Sequence, residues 1–155
     1  MLQLSSPVND IYRRDLPVAD PTILDPTDAT AVEQGEWLAL DATGHLVRVG
    51  AAPLPMAMQV FTQRGDYSSQ AISKTCVLQL HEYEGETDMF EDAGGGFAVN
   101  DMLTVHTITV DGVTRSGFIQ AVAGGTDWVY AIVTKDPATN NGRLGFMTVS
   151  PYNLP

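Results

Sequence analysis

The residues of this chain that could do chemistry are three histidines, one cysteine and a dense run of carboxylates. His45, His81 and His106 are the candidate nitrogen ligands for a metal. His81-Glu82-Tyr83-Glu84-Gly85 begins like the zinc-protease motif, in which two histidines one helical turn apart hold the ion. The second histidine is missing and the segment reads as strand. His81 and His106 meet only if the strand order brings them together, so we assign no metal ligand. Cys76 alternates with Leu78 and Leu80 on one apolar face, where a thiol is a small core hydrophobe rather than a nucleophile. No G-x-S-x-G turn holds a serine beside a histidine base.

Glu82, Glu84, Glu86, Asp88, Glu91 and Asp92 crowd a stretch that ends in Gly94-Gly95-Gly96. Oxygen ligands so concentrated suit Ca²⁺, but the spacing matches no EF-hand loop. Nothing sets the separation that would define a glycosidase pair either. We read 82–92 as a solvated acidic loop and leave open whether it binds a cation. The glycines read as flexible loop, because they open no helix that would cradle a phosphate. Arg64-Gly65-Asp66 is the tripeptide that integrins read in exposed loops, and it reads equally well as a turn before Tyr67. This reading assigns no catalytic residue, no cofactor-binding residue and no metal ligand, and the chain is expected not to be an enzyme.

Composition narrows the partners. The chain has 155 residues, 44% hydrophobic and 17% charged, enough for one domain with its own core. Acids outnumber bases 19 to 8, a formal charge of −11. Nucleic acid and anionic membrane are therefore not expected as partners, since both need clustered lysine and arginine. A single cysteine excludes an intramolecular disulfide and suits a reducing compartment. The start, Met1-Leu2-Gln3-Leu4-Ser5-Ser6-Pro7, has neither the basic residues nor the apolar run of a secretion leader, so synthesis in a cytoplasm is expected.

The elements that must position these groups fall into two regions. Residues 1–32 read as an extended arm: Pro7, Pro17, Pro21 and Pro26 fall here, whereas all 14 glycines lie from Gly35 onward. Prolines at that spacing exclude a regular helix or a central strand. Leu2, Leu4, Val8, Ile11, Tyr12, Leu16, Val18, Ile23 and Leu24 are too many apolar groups to leave in water, so the arm is expected to lie on a surface, its own body or a neighbouring subunit. From residue 33 to 155 the period is two, which predicts one antiparallel β-sandwich or barrel of eight or nine strands. Residues 36–40 and 45–49 form a hairpin about Asp41–Gly44, and 102–110 and 113–121 form another about Asp111-Gly112. Strands are also expected at 56–62, 75–81, 128–134 and 144–149, with 128–134 central because both its faces are apolar. At most a short helical turn fits 66–71.

Thr114-Arg115-Ser116-Gly117, Gly125-Thr126-Asp127-Trp128-Val129-Tyr130 and Gly142-Arg143-Leu144-Gly145-Phe146 faintly resemble three motifs of trimeric dUTP pyrophosphatases. The first Asp motif, the Arg/Gln motif and the Gly-rich closing arm of those enzymes have no counterpart, and we set that reading aside. The layout instead resembles the head decoration, or cement, proteins of tailed bacteriophages. The resemblance lies in the Pro-containing start, Glu33-Gln34-Gly35-Glu36-Trp37-Leu38-Ala39-Leu40-Asp41 with Gly44, Asn100-Asp101-Met102-Leu103-Thr104-Val105, Asp111-Gly112 and Val129-Tyr130-Ala131-Ile132-Val133. It covers most of 33–149.

That resemblance implies a virion structural protein on the outer surface of the capsid, bound to the major capsid protein as a homo-oligomer. Residues 1–30, with the basic pair Arg13-Arg14, and the loop 82–96 are then expected to make the inter-subunit contacts. Deleting residues 1–30 should leave the β body folded. The alternative is a β-sandwich carbohydrate- or receptor-binding module of a phage tail or surface assembly, with Trp37, Tyr83, Trp128 and Tyr152 as the available rings.

Overall fold

The structure, a computed structural model, describes residues 2–4, 13–25, 27–50, 57–62, 74–78, 82–124 and 127–154. These hold β1 (Gln3–Leu4), β2 (Arg13–Pro17), a 3-10 turn (Pro21–Leu24), β3 (Trp37–Leu40), β4 (Leu46–Arg48), β5 (Ala57–Thr62) and β6 (Lys74–Leu78). The remaining strands are β7 (Glu84–Thr87), β8 (Met102–Val110), β9 (Val113–Gln120), β10 (Trp128–Lys135) and β11 (Leu144–Asn153). They form two antiparallel sheets packed as a sandwich, one in the order β1-β7-β11-β10-β8-β9 and the other β2-β6-β5-β3-β4. Among the described residues no helix is long and apolar enough to cross a membrane.

The two hairpins stand where turn chemistry put them. Asp111 and Gly112 both have positive φ, 51° and 77°, as a two-residue turn matching the strand twist requires. At the other hairpin the Asp41 carboxylate accepts from the amides of Thr43 (2.8 Å) and His45 (2.9 Å), while Gly44 takes φ 81°. The His45 amide, followed by the Thr43 hydroxyl, holds the Asp41 carboxyl below its ordinary value. β10 lies between β11 and β8, the central place that its two apolar faces demanded.

Alternation along β3 supplies two cores rather than one. Trp37 and Ala39 point into the sandwich, where Trp37 meets Phe118 (5.1 Å between centroids) and Tyr130 (5.9 Å) and Phe118 meets Phe146 (5.0 Å). Leu38 points the other way, into a second cluster with Leu46, Met58, Val60 and Val77. Leu16, Val18, Leu24 and Val32 cover that cluster. The surface on which the N-terminal segment lies, over its described part from 13 to 32, is therefore the chain's own smaller sheet. β2 is an edge strand ending at Pro17, as a missing amide donor allows. Deleting residues 1–30 would take Leu16, Val18 and Leu24 away from Leu38, Leu46, Val60 and Val77, so the body expected to stay folded would do so at a cost in stability.

Three strands were not foreseen: β1, β2 and β7. β7 runs through the stretch expected to be loop, between β1 and β11. Its buried residues are Gly85 and Thr87, so its alternation carries no apolar signal. β11 also runs further than Val149, through Pro151 to Asn153, past an irregular register opposite Val129–Ala131. The predicted strand 75–81 is observed as Lys74–Leu78; residues 79–81 and the turn at 66–71 lie outside the described residues.

Buried polar bonds join the layers. Tyr83 donates its phenol proton to Gln59 Oε1 (2.9 Å), and Gln59 Nε2 donates to the Gly35 carbonyl (2.9 Å). At Gly117 an added Cβ would lie 2.5 Å from the Met89 carbonyl, so only glycine lets residues 89–91 seal the outer edge of β9. There the Phe118 amide donates to Met89 O and the Glu91 amide to Phe118 O, both at 2.9 Å.

Two outcomes test this packing. Leu24→Ala, in the covering layer at 2% exposure, should cost about 2–5 kcal/mol in urea unfolding, and a negligible loss would mean that the layer is not part of the cooperative unit. Burial pushes the Tyr130 phenol up to about 12 and the Tyr83 phenol well above its ordinary value. With unfolded tyrosine near pH ~10, the stability tied to both neutral phenols is intact below that pH and lost as pH rises toward the folded values. Thermal midpoints should fall across that window; a flat profile would contradict it.

Candidate functional site

The densest polar constellation is a carboxylate enclosed by two arginines at the junction of the layers. Glu36, which immediately precedes β3, is fully buried. Its Oε1 accepts from Arg48 Nε (2.8 Å) and the Ser116 amide (3.2 Å), and its Oε2 from Arg115 Nη1 (3.3 Å) and the Glu33 amide (3.2 Å). Arg115 is only 4% exposed and also donates to the Ala31 carbonyl and to Glu33 Oε1, both at 2.5 Å. Arg48 reaches the Thr30 carbonyl. Beside them Ser116 Oγ accepts from the Val49 amide (3.0 Å), and Thr107 donates its hydroxyl proton to the Val49 carbonyl (2.8 Å).

This arrangement holds backbone together; it has no vacancy for a substrate. Both carboxylate oxygens are occupied by donors, and both arginines are committed to carbonyls and carboxylates. What it does is tie residues 30–36 to β4 in one sheet and to β9 in the other. Sequence reasoning passed over it because Glu36 and Arg115 are 79 residues apart and only strand order brings them together. It also answers the pyrophosphatase likeness: Arg115 and Ser116 of the first fragment are consumed inside the protein.

Cys76 is buried in β6. His45 sits at the first hairpin turn, its Nδ1 2.7 Å from Thr43 Oγ1, and His106 lies half-buried on β8. His81 and Arg64-Gly65-Asp66 lie outside the described residues. Among the described residues no three His, Cys, Asp or Glu side chains are grouped so as to hold a metal ion. The acidic stretch is divided: Glu84 and Glu86 stand on β7, Glu91 Oε2 accepts from the Thr109 amide (2.8 Å), and Asp92, at the surface, caps its own loop. Asp92 Oδ1 accepts from the amides of Gly94 (2.8 Å), Gly95 (3.1 Å) and Gly96 (3.0 Å). The triple glycine does form a concave row of amides of the kind that binds anions, and the chain's own Asp92 fills it.

Of the four rings available for a sugar platform, Trp37 and Tyr83 are core residues, Trp128 is half-buried, and Tyr152 is exposed. Among the described residues Tyr152 belongs to a partly exposed apolar strip on the outer face of the six-stranded sheet. Leu103, Ala131 and Phe146 point into the sandwich, so their strand neighbours Met102, Ile132 and Met147 point out. Ile132 pairs directly with both methionines. The Tyr152 hydroxyl lies 3.5 Å from Met102 Sδ.

Glu36→Ala should destabilise the fold by about 3–5 kcal/mol, because it leaves Arg115 buried without its anion. Urea unfolding measures this; a loss within error would mean that the cluster holds nothing. Comparisons with models of known protein families, with curated proteins and with solved structures find no match for this chain.

Proposed function

We propose that the chain is a non-enzymatic virion structural protein that binds the outer surface of an assembled capsid and reinforces contacts between major capsid subunits. The observation that carries this reading is the exposure, among the described residues, of Met102, Met147 and Tyr152 around half-buried Ile132 on an otherwise acidic protein. Among the described residues Glu36, Arg48, Arg115, Ser116 and Asp92 are engaged in bonds within the chain, which supports a contact role. The two hairpins that resemble cement proteins are β3–β4 and β8–β9. A charge of −11 suits a position outside the shell, away from packaged DNA, and gives no purchase on nucleic acid or an anionic membrane. Binding at many equivalent sites of a symmetric shell adds up by multivalency when the protein is itself a homo-oligomer.

Quantitative mass spectrometry of virus particles purified from the source tests the proposal. The chain should be present in copies close to the number of major capsid subunits. A handful of copies per particle would point to a tail position instead, and complete absence would end the capsid reading.

A further inference from the structure

We infer that Asn141 is a modification site, losing its side-chain amide spontaneously to become aspartate or isoaspartate, and that the bond from the Gly142 amide to the Pro137 carbonyl sets the rate. The inference concerns the turn between β10 and β11 and does not rest on the capsid reading. The chain has five asparagines, Asn9, Asn100, Asn140, Asn141 and Asn153, and Asn141 alone is followed by glycine. The following residue matters because its backbone nitrogen is the nucleophile, and only glycine brings no side chain against the approach. Asn141 and Gly142 are both exposed. The reaction needs only water and hydroxide. Hydroxide takes the Gly142 amide proton as that nitrogen attacks Cγ of Asn141. The new N–Cγ bond forms, the Cγ–Nδ2 bond breaks, and the side-chain nitrogen leaves as ammonia with a proton from water. Water then opens the cyclic imide at either carbonyl. Aspartate keeps the original backbone, whereas isoaspartate runs it through the side chain and lengthens the turn.

The folded turn restrains that attack. Asn141 has φ 53° and Gly142 φ 76°, and the Arg143 amide donates to the Asn140 carbonyl (3.0 Å), so the two residues are the centre of a tight turn with positive φ at both positions. The Gly142 N–H donates to the Pro137 carbonyl (2.9 Å). Its proton is committed there, and the nitrogen is released to swing onto Cγ only when that bond opens. Asn140 latches the turn. Its Nδ2 donates to the Arg143 carbonyl (3.0 Å), and its side chain also bonds Glu86 on β7, whose backbone carbonyl accepts from Arg143 Nη2 (3.1 Å). The two neighbouring asparagines therefore differ in role: one fastens the turn, the other reacts when the turn opens. An exposed turn opens at a lower free energy than the strands that it joins, so the reaction proceeds without global unfolding.

The full chain, folded or in urea, is held at mildly alkaline pH while peptide mapping follows asparagine, aspartate and isoaspartate at each position. Conversion at Asn141 should lead all other positions in both samples. It should run about tenfold or more faster in urea, where the bond to Pro137 is gone. Asn140→Ala removes the latch and should raise the folded rate severalfold while leaving the rate in urea unchanged. If that variant fails to fold, hydrogen exchange of the Gly142 amide in the parent decides the matter, because its protection should match the ratio of the two rates. Equal rates folded and in urea, a folded rate untouched by Asn140→Ala, or protection unlike the rate ratio would overturn the gate. First conversion at another asparagine, or a folded chain that stays intact throughout, would overturn the site itself.

Discussion

The Glu36 carboxylate is the point on which the layers of this protein depend. A buried carboxylate is tolerable only if its lone pairs are filled, and here two guanidinium groups and two backbone amides fill them. Those donors come from both sheets and from the segment leading into β3. Each must be in place for the others to be satisfied, so the cluster specifies register between parts that local pattern leaves free. The arginines then spend their remaining donors on the carbonyls of Thr30 and Ala31, which pins the end of the covering layer. Breaking one member leaves charges stranded in a poorly solvated place.

That pin explains how a proline-rich segment becomes a structural layer. Between 18 and 32 the described backbone bonds are mostly local turns, such as Ile23 to Asp20 and Ala31 to Asp28, with the Ala19 amide donating to the Leu46 carbonyl and Asp28 capping Thr30. The apolar side chains of the segment supply the adhesion, through Leu16, Val18, Leu24 and Val32 over Leu38, Leu46, Val60 and Val77. The result is a smaller sheet buried on both faces and a larger sheet buried on one. On the larger sheet, among the described residues, Met102 and Met147 stay exposed on either side of Ile132.

Much of the architecture was legible in the sequence, and the failures are instructive. Asp111-Gly112 placed the β8–β9 turn because only residues that accept positive φ fit it. Strand β10 was legible as central because both parities of Trp128–Thr134 are apolar. Strand β7 was hidden because its inward residues are Gly85 and Thr87, which give no hydrophobic signal, while Glu84 and Glu86 imitate a solvated loop. The glycines after Asp92 looked flexible, yet three of their amides converge on one carboxylate. Nothing in the spacing of Glu36, Arg48 and Arg115 announced a cluster.

By itself the sequence determined the class of the fold, the position of its hairpins and the parity of its strands, since these follow from alternation and turn chemistry within a few residues. It also determined that the protein is acidic. Only the tertiary structure decided which faces are covered, which charges are consumed and which remain at the surface. Lys135 is an unremarkable charge in the sequence, and it neutralises Glu86 because Gly145 stands between them in the sheet. Alternation says which side chains share a face, whereas burial and pairing depend on what another part of the chain lays against that face, and contacts across long separations leave no local mark.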